Sequence, residues 1–464
     1  MLERVGLLWH HVVKHLDGIW LFCALGLLRS VFCSGLKFLQ ASTLSETIIL
    51  SEVAVFRIQV FCMIVACSFS ISEAQEPADV NYDEAKVPAY ELPNPLIDHA
   101  GQRVGRDEWV SHRRAEVQRL FEDSVYGKTP ERNLQVRYEV VDLDGKALDG
   151  RATRTQVAAF FGEDAYRIDI LLYVPNAATK PVAGFVGLNF NANHTVHEDP
   201  AILKRGTNKV RGSTASRWQL EMLIDRGYAI ATVHRDQIDP DNYRNDFSDG
   251  IHPLFYGEGQ TKPEPNQWGS IGAWAWGLSR ILDYLETDDQ VDASRVAVIG
   301  HSRLGKTALW AGAQDTRFAM VISNDSGCGG AALYRRCYGE RIHHMLKPVG
   351  YWFCTNHRQY QLREHDLPVD QHMLMALVAP RPLYVASATN DRWADPRGEF
   401  LAAKHASPVY ELFGMKGLSQ QEWPEPDQPI QTAIGYHLRS GDHDVTAADW
   451  QQYLRFADEH LRKE

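Results

Sequence analysis

Six short runs of apolar and β-branched residues punctuate the middle of the chain: Tyr166 to Val174, Val182 to Leu188, Tyr228 to Val233, Val296 to Ile299, Phe318 to Ser323 and Pro382 to Ser387. Each is short and almost uniformly apolar, which is the pattern of a strand buried on both faces. Helical patterns lie between them: Ala215 to Arg226, stopped by Gly227; Gly269 to Leu285, rich in Ala and Trp; and Lys306 to Ala313. Strands alternating with helices predict an α/β fold, a doubly wound and mainly parallel sheet in a three-layer sandwich. Thr446 to Leu461 closes the chain as a helix, with Trp450, Tyr453, Leu454, Ala457 and Leu461 on one face.

Residues 1–75 differ in kind from the rest. They hold four of the seven cysteines (Cys23, Cys33, Cys62, Cys67) and two apolar stretches, Gly18 to Leu28 and Ile58 to Ile71. Both fall short of the roughly 20 apolar residues that span a bilayer, so no membrane span is expected. Arg57, the second stretch and Ser72-Glu73-Ala74 follow the charged, apolar, small-residue order of a secretory signal cut near Ala74. Residues 1–75 therefore read as a leader with a start assigned too far upstream, true initiation falling at Val53 or Val55. The protein is expected to be secreted or periplasmic. Ile64-Val65-Ala66-Cys67 also resembles a lipobox, which would anchor the chain at Cys67 through a lipid. Residues 76–464 are expected to form one catalytic domain whose segment 76–155, polar and Pro-punctuated with a helical patch from Arg106 to Tyr126, is an N-terminal extension. The mature chain keeps Cys328, Cys337 and Cys354; a Cys337–Cys354 disulfide and three buried thiols are both open readings.

Chemistry concentrates where the strand Val296 to Ile299 runs through Gly300-His301-Ser302-Arg303-Leu304-Gly305-Lys306 into a helix. Gly-x-Ser between strand and helix is the pattern of a nucleophile elbow, in which small residues on either side of the serine let strand and helix approach. The usual second glycine position holds Leu304, with Gly305 one place later. Ser302 is the candidate nucleophile of an α/β-hydrolase fold. The backbone N–H of Arg303 is the expected oxyanion donor, and its guanidinium can reach the same developing charge.

This fold orders its triad Ser, acid, His, so the base belongs near the C-terminus. His443, in Gly441-Asp442-His443-Asp444 before the last helix, fits better than its neighbour His437. Two aspartates follow successive strands: Asp325 in Asn324-Asp325-Ser326-Gly327, and Asp391 in Asn390-Asp391-Arg392-Trp393. Either can serve as the acid by position. Asp395, before Pro396, suits a structural turn.

Taken together, the string from Gly300 to Trp310, the string Asn324-Asp325-Ser326-Gly327-Cys328-Gly329-Gly330, the segment Asp391 to Phe400 and the His443 loop resemble the glucuronoyl esterases, carbohydrate esterase family 15, in its bacterial branch. The resemblance covers Pro88 to Leu461. It implies Ser302 as nucleophile, His443 as base, Arg303 as oxyanion stabiliser, Lys306 and Glu340 as hydrogen-bonding partners of glucuronate hydroxyls, and Trp393 flanking that sugar. Many members carry Glu where this chain has Asp325, one methylene shorter; members with a weak acid there use the later aspartate, which favours Asp391 over Asp325. The implied reaction is hydrolysis of the ester of 4-O-methylglucuronic acid side chains of glucuronoxylan, a lignin–carbohydrate link, without metal or cofactor. An acetyl-xylan or other carbohydrate deacetylase and a non-catalytic sugar-binding relative are the alternatives. With 48 Lys and Arg against 59 Asp and Glu and well-mixed signs, no nucleic-acid partner is expected, and the chain is expected to act as a monomer.

Overall fold

The computed structural model describes residues 79–462 apart from 132, 133 and 244. The leader, with its signal sequence and Cys67, lies outside the described residues. Among them, no helix is long and apolar enough to cross a membrane.

Nine strands form one sheet: β1 (Val136–Ala147), β2 (Ala152–Phe161), β3 (Tyr166–Pro175), β4 (Val182–Asn189), β5 (Ala229–His234), β6 (Val291–His301), β7 (Met320–Asn324), β8 (Leu383–Ala388) and β9 (Ile434–Arg439). Their order is β1-β2-β3-β5-β4-β6-β7-β8-β9. The first three strands run antiparallel, β3 pairs antiparallel with β5, and every pairing from β5 through β4 to β9 is parallel. All six expected strands are present.

Side chains alternate between two cores, as a doubly covered sheet requires. In β6, Val296 and Val298 face the core under the helices Ser270–Leu285, Arg303–Gln314 and Pro396–Glu411. Ala297 and Ile299 face the opposite core, closed by the helices Leu220–Asp225 and Ala447–His460. Trp274, Trp310 and Tyr410 fill the first core; Trp450, Tyr453 and Phe456 fill the second.

The segment 76–155 enters the sheet itself. It supplies all of β1 and the start of β2, so residue 155 falls inside a strand and does not mark the end of an appendage. The helical pattern of 215–226 is broken at Gln219, whose φ of 44° ends one short helix and begins another. Cys328, Cys337 and Cys354 are three free thiols with no Cys337–Cys354 disulfide; Cys328 and Cys354 are buried, and Cys337, against the reading of three buried thiols, is half-buried.

Candidate active site

The parallel strands deliver their C-terminal ends to one edge, the edge where such sheets carry their ligands. There β6 turns abruptly into the helix Arg303–Gln314. Ser302 sits in the turn with φ 58° and ψ −129°, a backbone region costly for a residue with a side chain and held only by its surroundings. The surroundings are tight. A Cβ at Gly300 would lie 1.9 Å from the Leu304 carbonyl oxygen, so only glycine allows the helix to start there. A Cβ at Gly305 would lie 2.9 Å from the Ser326 Cβ, which explains the displaced second glycine: the close approach is to the loop after β7. The Ser302 N–H donates to the Asn324 carbonyl at 2.9 Å, pinning the turn to β7.

His443 reaches the same place from the loop after β9. Its ring lies 4.4 Å, centroid to centroid, from that of His301, the residue before Ser302. Its Nδ1 is 2.6 Å from Asp391 Oδ2, after β8. Among the described residues neither the Ser302 hydroxyl nor the remaining His443 nitrogen has a hydrogen-bond partner. Burial, with His443 alongside, pushes His301 well below the ordinary histidine range, so the ring beneath His443 is neutral.

Asp325 is nearby but differently engaged. One oxygen from Asp325, one from Asp391 and a His443 nitrogen all lie within 4.8 Å of one another. Yet Asp325 has a left-handed backbone, φ 44°, neither of its carboxylate oxygens holds a hydrogen bond, and its nearest cation, Arg439, is 3.9 Å away. Burial first, then the charges of Glu399 and Asp391, push its pKa well above the carboxylate range. Glu399, absent from the sequence reading, is wholly buried; it accepts from the Ser326 and Gly327 N–H groups, each at 2.8 Å, and from Ser387 Oγ at 2.5 Å. Burial pushes it up to about 8. His437 is a core residue, bonded through Nε2 to Asp449 at 2.8 Å and through Nδ1 to the Tyr384 hydroxyl at 3.0 Å. Asp395 accepts from Arg336 at 2.8 Å and from the Gly398 N–H, a structural cap as expected.

The cations of the elbow take different partners. Lys306 is buried; its ammonium donates to the Ser326 and Cys328 carbonyls, both at 2.6 Å, and lies 3.5 Å from Glu340 Oε2. The Glu340 N–H donates to the Trp393 carbonyl at 2.8 Å, so Lys306, Glu340 and Trp393 form one continuous wall, with Trp393 packed on His344 at 5.3 Å. Arg303 points elsewhere: Nη1 donates to Asp241 Oδ2 at 2.5 Å, and its guanidinium stacks over Trp352 at 4.7 Å and Phe190 at 5.7 Å. Neither Asp241 nor these two rings stood out in the sequence, because a lone acid in a loop and two scattered aromatics carry no spacing signal.

The chain is similar to known esterases over most of its length. The family described as glucuronyl esterase of fungi matches residues 197–414. The carbohydrate esterase MZ0003, from an unknown prokaryotic organism, is 49% identical over 406 residues, 83% of this chain and 93% of the relative. A glucuronoyl esterase from Solibacter usitatus superposes with a TM-score of 0.79 at 48% identity, covering 82% of this chain and 100% of that one. The 4-O-methyl-glucuronoyl methylesterase 1 of Phanerochaete chrysosporium is 34% identical over 203 residues, 40% of this chain and 42% of its own. With its strained serine turn on a doubly wound sheet and close relatives spanning nearly all the described residues, the chain belongs to carbohydrate esterase family 15, the glucuronoyl esterases, carboxylic-ester hydrolases of the α/β-hydrolase fold.

Proposed function

We propose that this protein is a serine esterase that hydrolyses the ester of 4-O-methylglucuronic acid side chains of glucuronoxylan, the link between that polysaccharide and lignin alcohols. The observation that carries the reading is the juxtaposition, on one sheet edge, of the Ser302 turn, the His443–Asp391 pair and the Lys306–Glu340–Trp393 wall. His443 Nε2 takes the Ser302 proton as Oγ attacks the carbonyl of the sugar acid, and Asp391 holds the imidazole through Nδ1. The tetrahedral oxyanion meets the Arg303 N–H and guanidinium. His443 then returns the proton to the leaving alcohol, and water, deprotonated by the same ring, releases the glucuronate from Ser302. The scissile carbonyl belongs to the sugar acid, so groups that read the sugar belong on the acyl side: Lys306 and Glu340 toward hydroxyls, Trp393 against a C–H face. Asp325, whose charge burial disfavours and whose oxygens make no hydrogen bond to His443, is the lesser acid.

A working monomer is part of the same proposal. Signal-directed export to the periplasm or the medium, where xylan is met, belongs to the same reading.

Release of methanol from methyl glucuronate, set against release of acetate from acetylxylan, tests the substrate. Preference for acetate would make the enzyme a deacetylase. Ser302→Ala is expected to abolish turnover while product binding survives; labelling of the wild type by a fluorophosphonate, absent in the variant, separates an esterase from a sugar-binding relative without turnover.

A further inference from the structure

Asp241 follows β5 and the short turn Arg235–Gln237, and its carboxylate is only 2% exposed. Both oxygens are engaged. Oδ1 accepts from the Tyr351 hydroxyl at 2.6 Å and the Trp352 Nε1–H at 2.8 Å; Oδ2 accepts from Arg303 Nη1 at 2.5 Å and forms an ion pair with Arg235 Nη1 at 2.7 Å. Three of the carboxylate's roughly four lone-pair sites are taken by hydrogen bonds and the Arg235 charge stands beside it, so it cannot turn without breaking a contact. Burial works against its charge, but Arg235 and Arg303 more than offset that and hold its pKa below the usual range.

The consequence falls on Arg303. The guanidinium has one Nη1–H on Asp241 and its face against Trp352 and Phe190, so its plane is fixed from the edge and from the face. Its Nε, though buried, has no hydrogen-bond partner. A buried unpartnered donor on a charged group calls for an explanation, and a bidentate grip by Asp241 would have removed it. The contact to Nη1 alone leaves the other donors uncommitted beside the elbow.

We propose that Asp241 is a positioning residue for this reaction: it locks Arg303 in the one orientation that keeps guanidinium donors available to the oxyanion formed on Ser302. The proposal rests on the reading of Arg303 as the oxyanion group.

The test is a double-mutant cycle on methyl glucuronate hydrolysis. Asp241→Asn turns an amide N–H₂ toward cations and releases Arg303. It is expected to lower kcat about 10- to 100-fold with KM changed less than about threefold, since the orientation matters in the transition state and little in ground-state binding. In an Arg303→Ala background the same change should cost less than about twofold, because groups acting through one partner are not additive. An equal cost in both backgrounds, or an unchanged kcat, overturns the proposal. Arg303→Ala alone reports on the underlying reading: if it leaves kcat intact, Arg303 is not the oxyanion group, a different failure from that of Asp241. Should Asp241→Asn not fold, Tyr351→Phe removes one donor from Oδ1 and leaves the ion pair; a few-fold loss of kcat that vanishes in the Arg303→Ala background supports the proposal, and a loss of the same size in both backgrounds overturns it.

Discussion

Two histidine–carboxylate pairs stand close in sequence, one built on a histidine inside β9 and the other on a histidine in the loop after it. His443–Asp391 and His437–Asp449 have almost equal bond lengths, 2.6 and 2.8 Å, yet only one is suited to chemistry. His437 is 4% exposed, with both ring nitrogens engaged, and Asp449 also accepts from Arg439 and caps the last helix through the Thr446 N–H and hydroxyl. His443 has a side chain 43% exposed, one nitrogen on Asp391 and the other uncommitted. A buried pair with every donor and acceptor matched stabilises the fold; a pair with one nitrogen left over can move a proton.

The sharpest break in this comparison is expected from His443→Ala, which should lower kcat by about 10⁴-fold or more and leave the melting temperature unchanged. His437→Ala should do the reverse. If His437→Ala removed activity from correctly folded protein, the two pairs would have been assigned the wrong way round. Next in size comes Asp391→Asn, expected to cost about 10³-fold in kcat through loss of the tautomer and of imidazolium stabilisation. Asp325→Asn should cost less than about tenfold, since Asp325 holds no hydrogen bond to His443 and burial already disfavours its charge. The opposite order, read by steady-state kinetics on methyl glucuronate, would make Asp325 the acid. Asp449→Asn leaves Arg439 and His437 without their charge partner and should lower stability by about 3 kcal/mol in denaturant unfolding, with kcat of the folded fraction within about twofold. The smallest effect expected is one of pH. Glu399, with a folded pKa of about 8, holds a proton that the unfolded chain releases near its ordinary value, so the folded state binds more protons between about 4.5 and 8 and stability falls as pH rises through that window. Asp325 acts with the same sign. Glu399→Gln should flatten the decline seen by thermal melts at pH 5 and pH 8; an unchanged slope would mean that Glu399 is ionised in the fold.

Much of this was legible in the residues. Short, mainly apolar runs bounded by turn residues read as strands covered on both faces, so β3 to β8 are legible. β1 was not, because Val136–Ala147 exposes one face at the sheet edge and its alternating charges read as a polar segment. β9 was missed because its interior carries His437 and ends at Arg439, whose charges are matched by Asp449 from a helix ten residues on. Gly300 and Ser302 announced the elbow by spacing alone. The choice between Asp391 and Asp325 depends instead on which carboxylate the fold brings to His443 Nδ1, which no pattern of residue types displays. Asp241 was silent for a similar reason: its four partners are Arg235, Arg303, Tyr351 and Trp352, more than a hundred positions apart at the extremes, and only the fold assembles them.

Ser302, Arg303 and Lys306 ride on a single helical turn whose placement is dictated by contacts of backbone with backbone at Gly300 and of Gly305 with Ser326. Glu340 and Trp393 hang on two loops joined by one main-chain hydrogen bond. The elbow, with Lys306, is thus inherited as a block, whereas Glu340 and Trp393 sit on separate loops. In a lineage of duplicated genes, exchanges at 340 and 393 leave the elbow where it is, whereas changes at 300, 305 or 326 displace Ser302, Arg303 and Lys306 together.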